Sequence, residues 1–172
     1  MTPDERKKCK AIRHLVHEYA NFVSSAEMVL SGKDVDGDFF KPPINTHVSH
    51  SFYLNCRKLA DFFQNKKFPT DVKAEHFIPG YQSKLRVFDR WRQRIDRQLA
   101  HISYIRDDVT TKEIWPRNQR ALYNELRNAW RRFRNNKKLP KLYADKFIRE
   151  IKRRKAPYRS GQLSEFRGYD LD

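Results

Sequence analysis

The chain has 172 residues, enough for one domain with a buried core, and its 12 Phe, eight Tyr and three Trp exclude a disordered polymer. The two Cys do not form a CxxC pair, which excludes a disulfide framework. No apolar run reaches the roughly 18 residues that cross a bilayer, so we expect a soluble, cytoplasmic protein with no membrane contact. Lys and Arg outnumber Asp and Glu by 37 to 21, a net charge of +16 that favours a polyanion, above all nucleic acid, as the partner.

The first half of the chain predicts two helices joined by a loop. Thr2 and Glu5 form a capping-box pattern, after which apolar residues recur at three- and four-residue steps, so the first helix spans 3–30. Residues 31–47 combine Gly, Asp and a Pro pair, which is typical of a polar loop rather than of a calcium site. Helical spacing resumes in 49–67, the second predicted helix.

The third predicted helix carries the narrowest apolar stripe in the sequence. Residues 66–82 form a second loop, with one helical turn expected around 72–77, and the helix then runs over 83–105. At 100° per residue its other apolar side chains all fall within about 60° of Phe88, which predicts one buried face. The members of this stripe are Phe88, Trp91, Ile95, Leu99 and Ile102.

Two basic helices follow. Pro116 suits the first turn of a helix, so the fourth helix begins near Trp115, and Pro140 opens a fifth. The tail, 156–172, has mixed signals and is expected to pack as an irregular arm. The predicted core residues of the two helices are Leu122, Leu126, Ala129, Trp130 and Phe133 in the fourth and Tyr143, Phe147, Ile148 and Ile151 in the fifth.

These segments predict an all-α fold. No stretch of five to eight residues alternates in the manner of a strand. We therefore expect a four- to five-helix antiparallel bundle with a basic C-terminal helical extension. Residues 1–138 would form the bundle, and 139–172 would add the basic helix and tail, as part of the same domain.

Arg94 and His101 are the candidate catalytic pair. Two helical turns bring them onto one line of the third helix, about 10 Å apart along its axis. Cleaving RNA without a metal needs a proton acceptor for the 2′-hydroxyl, a proton donor for the leaving oxygen, and positive charge on the phosphate; His suits the first two roles and Arg the third. Residues that border this line and could also contact nucleic acid are Arg90, Arg97 and Tyr104.

The chain has a long first helix, a second that reads "YLNCRKLADFF" and a third that reads "DRWRQRIDRQLAHISYIR". This arrangement resembles the HEPN superfamily, and it is most like the branch found in abortive-infection and toxin–antitoxin systems. That family's signature is an Arg followed, after four to six residues, by a His on the third long helix. The resemblance implies a homodimer with a composite site and metal-independent endoribonuclease activity that leaves a 2′,3′-cyclic phosphate. At the shorter spacing of four, Asp96 would occupy the Arg position and the site would be inactive.

The last third of the chain is a candidate phosphate-binding surface. Residues 113–172 hold 17 Lys and Arg against seven Asp and Glu. Most aromatic residues between them belong to the apolar stripes, so the basic residues would contact phosphates without reading sequence. These candidates are Arg127, Arg131, Arg134, Lys137, Lys138, Arg153, Arg154 and Lys155.

Two other functions are compatible with this sequence. The chain could be a non-enzymatic nucleic-acid-binding or regulatory module, or its charge could meet an acidic protein such as an antitoxin. Neither the two His pairs, 14/17 and 47/50, nor the two Cys complete a metal-ligand set. We expect no metal and no cofactor.

Overall fold

The all-helical prediction is confirmed by a computed structural model, which describes residues 1–31, 44–66, 71–99 and 116–159. These residues form five α-helices and one 3-10 turn, and none of them is in a strand. The helices are α1 (Pro3–Ser31), α2 (Ile44–Phe63), α3 (Arg86–Leu99), α4 (Pro116–Arg134) and α5 (Lys141–Arg159), and the 3-10 turn, Ala74–His76, precedes α3.

The helix starts follow local chemistry. Thr2 Oγ1 accepts a hydrogen bond from the Glu5 amide (3.2 Å) and Glu5 Oε2 accepts one from the Thr2 amide (2.6 Å), which completes the predicted capping box. Pro116 is the first residue of α4, where its missing N–H costs nothing. Pro140 directly precedes α5 and accepts hydrogen bonds from the amides of residues 143 and 144.

The core lies around α1, which contacts α2, α4 and α5, while α3 packs on α2 and α4. Tyr19 of α1 stacks face to face on Trp130 of α4, with ring centroids 4.1 Å apart. Phe133, one turn later, meets Phe62 and Phe147 edge to face at 5.2 and 5.8 Å. This aromatic cluster joins α1, α2, α4 and α5 in one interior, and the edge-on arrangement of Phe133 is a favoured one for such rings.

The structure corrects several details of the prediction. The second helix begins at Ile44 and ends at Phe63, earlier at both ends than predicted, and the third begins at Arg86. Ile148, expected in the core, is 47% exposed, and Trp91 is only half-buried. The stretch 156–159, assigned to the irregular tail, continues α5.

Other predictions agree with the described residues. Cys56 is buried and Cys9 half-buried, and neither is in a disulfide. None of the described helices is long and apolar enough to span a membrane. Three predicted stretches lie outside the described residues: the C-terminal end of the third helix from 100 onward, the tail from 160 onward, and most of the first loop, 32–43.

Candidate nucleic-acid interface

A row of charged and amide side chains fills part of the contact between α2 and α3. Arg92 donates from Nη2 to Asp61 Oδ1 at 2.6 Å and from Nη1 to Gln64 Oε1 at 3.3 Å. The Gln64 amide in turn donates to both carboxylate oxygens of Asp89, at 2.9 and 3.1 Å. Asp61 and Gln64 are buried, so these bonds replace water and fix α3 on α2.

A second pair extends the row. Arg57 Nη1 lies 3.3 Å from Asp96 Oδ1, and Arg92 Nε lies 4.0 Å from Asp96 Oδ2. We call Arg57, Asp61, Gln64, Asp89, Arg92 and Asp96 the polar seam. Asp96, the residue that a shorter motif spacing would place in the Arg position, therefore belongs to a structural network.

Arg94 occupies a different environment from Arg92, two residues earlier. Its guanidinium carbon lies 5.1 Å from the centroid of the Trp91 ring, within cation–π range, and the side chain is half-buried. In the part of the chain that the structure describes, no carboxylate lies within ion-pair distance of it. Arg92 is thus neutralised within the fold, whereas the charge of Arg94 is available to an anion.

The other residues predicted near Arg94 are only partly described. Arg90 is exposed on α3. His101 and Tyr104 lie outside the described residues, and so do the side chains of Arg97 and Lys155. The distance between Arg94 and His101 therefore stays a prediction from helical geometry.

Glu125 of α4 anchors the start of α3. Its two carboxylate oxygens accept hydrogen bonds from the backbone amides of Val87 (3.0 Å) and Phe88 (2.9 Å), in the first turn of α3. A carboxylate at a helix N-terminus satisfies otherwise unpaired amides and complements the helix dipole. This contact ties the helix that holds Arg94 to the basic helix α4.

The excess positive charge follows one segment of the chain. Residues 116–159, which we call the basic segment, hold 16 Lys and Arg against three Asp and Glu, so they carry +13 of the net +16. Two of the three acids are engaged internally. Glu125 caps α3, and Glu150, which is buried, accepts a 2.6 Å bond from Lys146 that lowers the pKa of its carboxyl against the opposing effect of burial.

Three of the predicted arginines lie on one face of α4, at steps of four and three residues. Arg127, Arg131 and Arg134 are half-buried, and Arg127 lies 6.0 Å from the centroid of the Tyr123 ring. Burial raises the pKa of Tyr19 to about 12, an effect that Tyr123 reinforces and the charges of the three arginines oppose. This face of α4 is therefore positive up to the edge of the aromatic core.

The remaining predicted phosphate contacts extend to α5. Lys137 and Lys138 are exposed in the turn between α4 and α5, where Asn136 Oδ1 accepts a hydrogen bond from the Lys138 amide at 2.9 Å. Arg153 is exposed and Arg154 half-buried on α5. All four are open to solvent to some degree, as phosphate contacts must be.

The sequence prediction missed the polar seam and the Glu125 cap. A signal was present, because Arg57/Asp61 and Arg92/Asp96 are i,i+4 pairs of opposite charge beside apolar stripes. Which residues of two helices meet is not visible from one sequence. Among the described residues no three His, Cys, Asp or Glu side chains are placed to share a metal ion.

Comparison of the chain with protein-family models, with curated proteins and with solved structures gives no match.

Proposed function

We propose that this protein binds nucleic acid, with RNA as its ligand, through the phosphate contacts of the basic segment. The observation that carries the proposal is the net charge of +13 on the 44 residues of the basic segment. Of the three acidic residues in this segment, Glu125 and Glu150 are engaged inside the fold. Such a field attracts polyanions and releases their counterions on binding.

The type of contact determines what this binding can discriminate. Lys and Arg side chains on helices reach phosphate oxygens, which position a ligand but carry no sequence information. Two of the three aromatic side chains of α4, Trp130 and Phe133, are fully buried and cannot stack on bases, while Tyr123 is half-buried beside Arg127. Binding should therefore depend strongly on salt and weakly on sequence.

Reversing three exposed charges of the basic segment should weaken RNA binding. We expect Lys137→Glu, Lys138→Glu and Arg153→Glu together to raise Kd on the order of 100-fold at low salt, because each reversal removes a phosphate contact and adds repulsion. Fluorescence anisotropy with a labelled single-stranded RNA measures the change.

The matched control changes the net charge equally at exposed positions elsewhere. Arg6→Glu, Lys84→Glu and Arg86→Glu together should raise Kd much less. Equal losses in the two triple variants would show that total charge, not the basic segment, governs binding, and would contradict the proposal.

A second candidate function is metal-independent RNA cleavage by Arg94 and His101. The specific observation that favours it is the environment of Arg94, which rests on Trp91 with no carboxylate partner among the described residues, whereas Arg92 is held in the polar seam. An arginine of this kind can stabilise charge on a phosphorane-like transition state. His101 would transfer protons as the 2′-oxygen bonds to phosphorus and the 5′-oxygen leaves. The HEPN resemblance implies that two chains contribute to this site.

Cleavage is tested in EDTA with purified protein and mixed cellular RNA. We expect wild type to produce 2′,3′-cyclic phosphate ends, and His101→Ala to lower the rate by on the order of 100-fold or more. Arg94→Ala should also lose activity, while His14→Ala, at an exposed position of α1, should not. Intact RNA with wild type, together with salt-dependent binding, would reject cleavage and leave a non-enzymatic binding module.

A further inference from the structure

A trough of about 430 Å³ is lined by residues of α1 and α2 and by Val72. This volume lies within the range of small-molecule sites, roughly 300–1,000 Å³. The trough is lined by α1 from Lys7 to Glu18, a distance of about 16 Å at 1.5 Å per residue. It is therefore elongated along α1, and none of its lining residues belongs to the basic segment.

The floor of the trough is apolar. Leu15, Leu59 and Phe62 are buried beneath it, Ala11 is half-buried, and Val72 stands exposed at its side. None of these side chains can donate or accept a hydrogen bond. A polar ligand would find hydrogen-bond partners only at the rim, where His14 and the charged side chains lie, so the floor itself favours a hydrocarbon.

The rim of the trough is cationic and asymmetric. Lys7 and Lys10 are exposed at one end, and neither is in an ion pair with any carboxylate that the structure describes. At the other end Lys58 Nζ is bonded to Glu18 Oε2 at 2.8 Å, so its charge is neutralised. The available positive charge is therefore at the Lys7/Lys10 end, because the ion pair at the far end has no net charge.

We propose that this trough binds a single-chain amphiphile with an anionic head, a medium-chain carboxylate. The hydrocarbon lies on Ala11, Leu15, Leu59 and Phe62, and the carboxylate meets Lys7 and Lys10. The lysine stems can cover the chain while their ammonium groups remain in water. The site is separate from the proposed RNA contacts.

Isothermal titration calorimetry with dodecanoate, below the concentration at which it forms micelles, tests the proposal. We expect saturable binding at one site per chain, and at least tenfold weaker binding of dodecyltrimethylammonium, which has the same chain and the opposite charge. Lys7→Gln with Lys10→Gln should remove most of that preference. Lys84→Gln with Lys137→Gln, the same charge change elsewhere, should leave it unchanged.

A second variant tests the cavity itself. Ala11→Phe places a ring in the trough from a half-buried position and should abolish dodecanoate binding, with RNA binding and helical circular dichroism retained. Absence of saturable binding by wild type, or undiminished binding by Ala11→Phe, would overturn the proposal. Binding of an acidic amphipathic peptide with none of dodecanoate would also overturn it, in favour of a protein-docking groove. RNA affinity is measured separately, so either proposal can fail without the other.

Discussion

Replacing Arg92 with Ala should lower the free energy of unfolding by about 3 kcal/mol. Arg92 donates the 2.6 Å hydrogen bond to Asp61, whose side chain is only 8% exposed, and also bonds Gln64. Removing the guanidinium leaves a buried carboxylate without its main partner. Arg57 Nε, 3.9 Å from the other oxygen of Asp61, offsets part of this cost, so the expected effect lies at the lower end for such pairs.

Chemical denaturation followed by circular dichroism measures this effect. Arg90→Ala is the matched control, because Arg90 is exposed on the same helix, and it should change stability by less than about 0.5 kcal/mol. The double variant Asp61→Leu, Arg92→Met should recover stability relative to Arg92→Ala, since it removes the buried carboxylate together with the guanidinium. Equal stability of the two single variants would contradict a structural role for the polar seam.

Replacing Phe133 with Ala should cost about 3–5 kcal/mol, the usual range for a buried phenylalanine. Its ring is fully buried and contacts Phe62, Tyr81 and Phe147 edge to face, at 5.2, 5.3 and 5.8 Å. The cavity left by Ala would open where α2, α4 and α5 pack together. Thermal and denaturant unfolding should both record the loss.

Ile148→Ala is the control for this substitution. The sequence pattern placed Ile148 in the core, whereas the structure leaves it 47% exposed on α5, so we expect a loss below about 1 kcal/mol. A loss at Ile148 as large as that at Phe133 would contradict the orientation of α5 described here.

The helices and their faces were predictable because local chemistry determines them. The Thr2/Glu5 capping box starts α1 as predicted, and Pro116 begins α4. Phe88 and Ile95 are fully buried, as the stripe on the third helix required. These features depend on residues within two turns of one another, which a single sequence displays directly.

Contacts between helices were not predictable in the same way. Arg92 falls beside the apolar stripe of α3, and only the approach of Asp61 and Gln64 decides that it is half-buried in a network rather than solvated. Ile148 has the spacing of a core residue, but its side of α5 faces solvent. The cation–π contact between Arg94 and Trp91 joins residues i and i+3 of one helix, a local relation that the sequence does display.

The salt dependence of RNA binding by the wild-type chain tests the central claim most directly. If several Lys and Arg of the basic segment contact phosphates, log Kd should rise linearly with log salt concentration, with a slope of about 3 or steeper, which corresponds to four or more contacts on single-stranded RNA at about 0.7 each. The triple variant at Lys137, Lys138 and Arg153 should have a slope smaller by about 2. A wild-type affinity that does not change with salt, or a slope unaltered in the variant, would contradict the account.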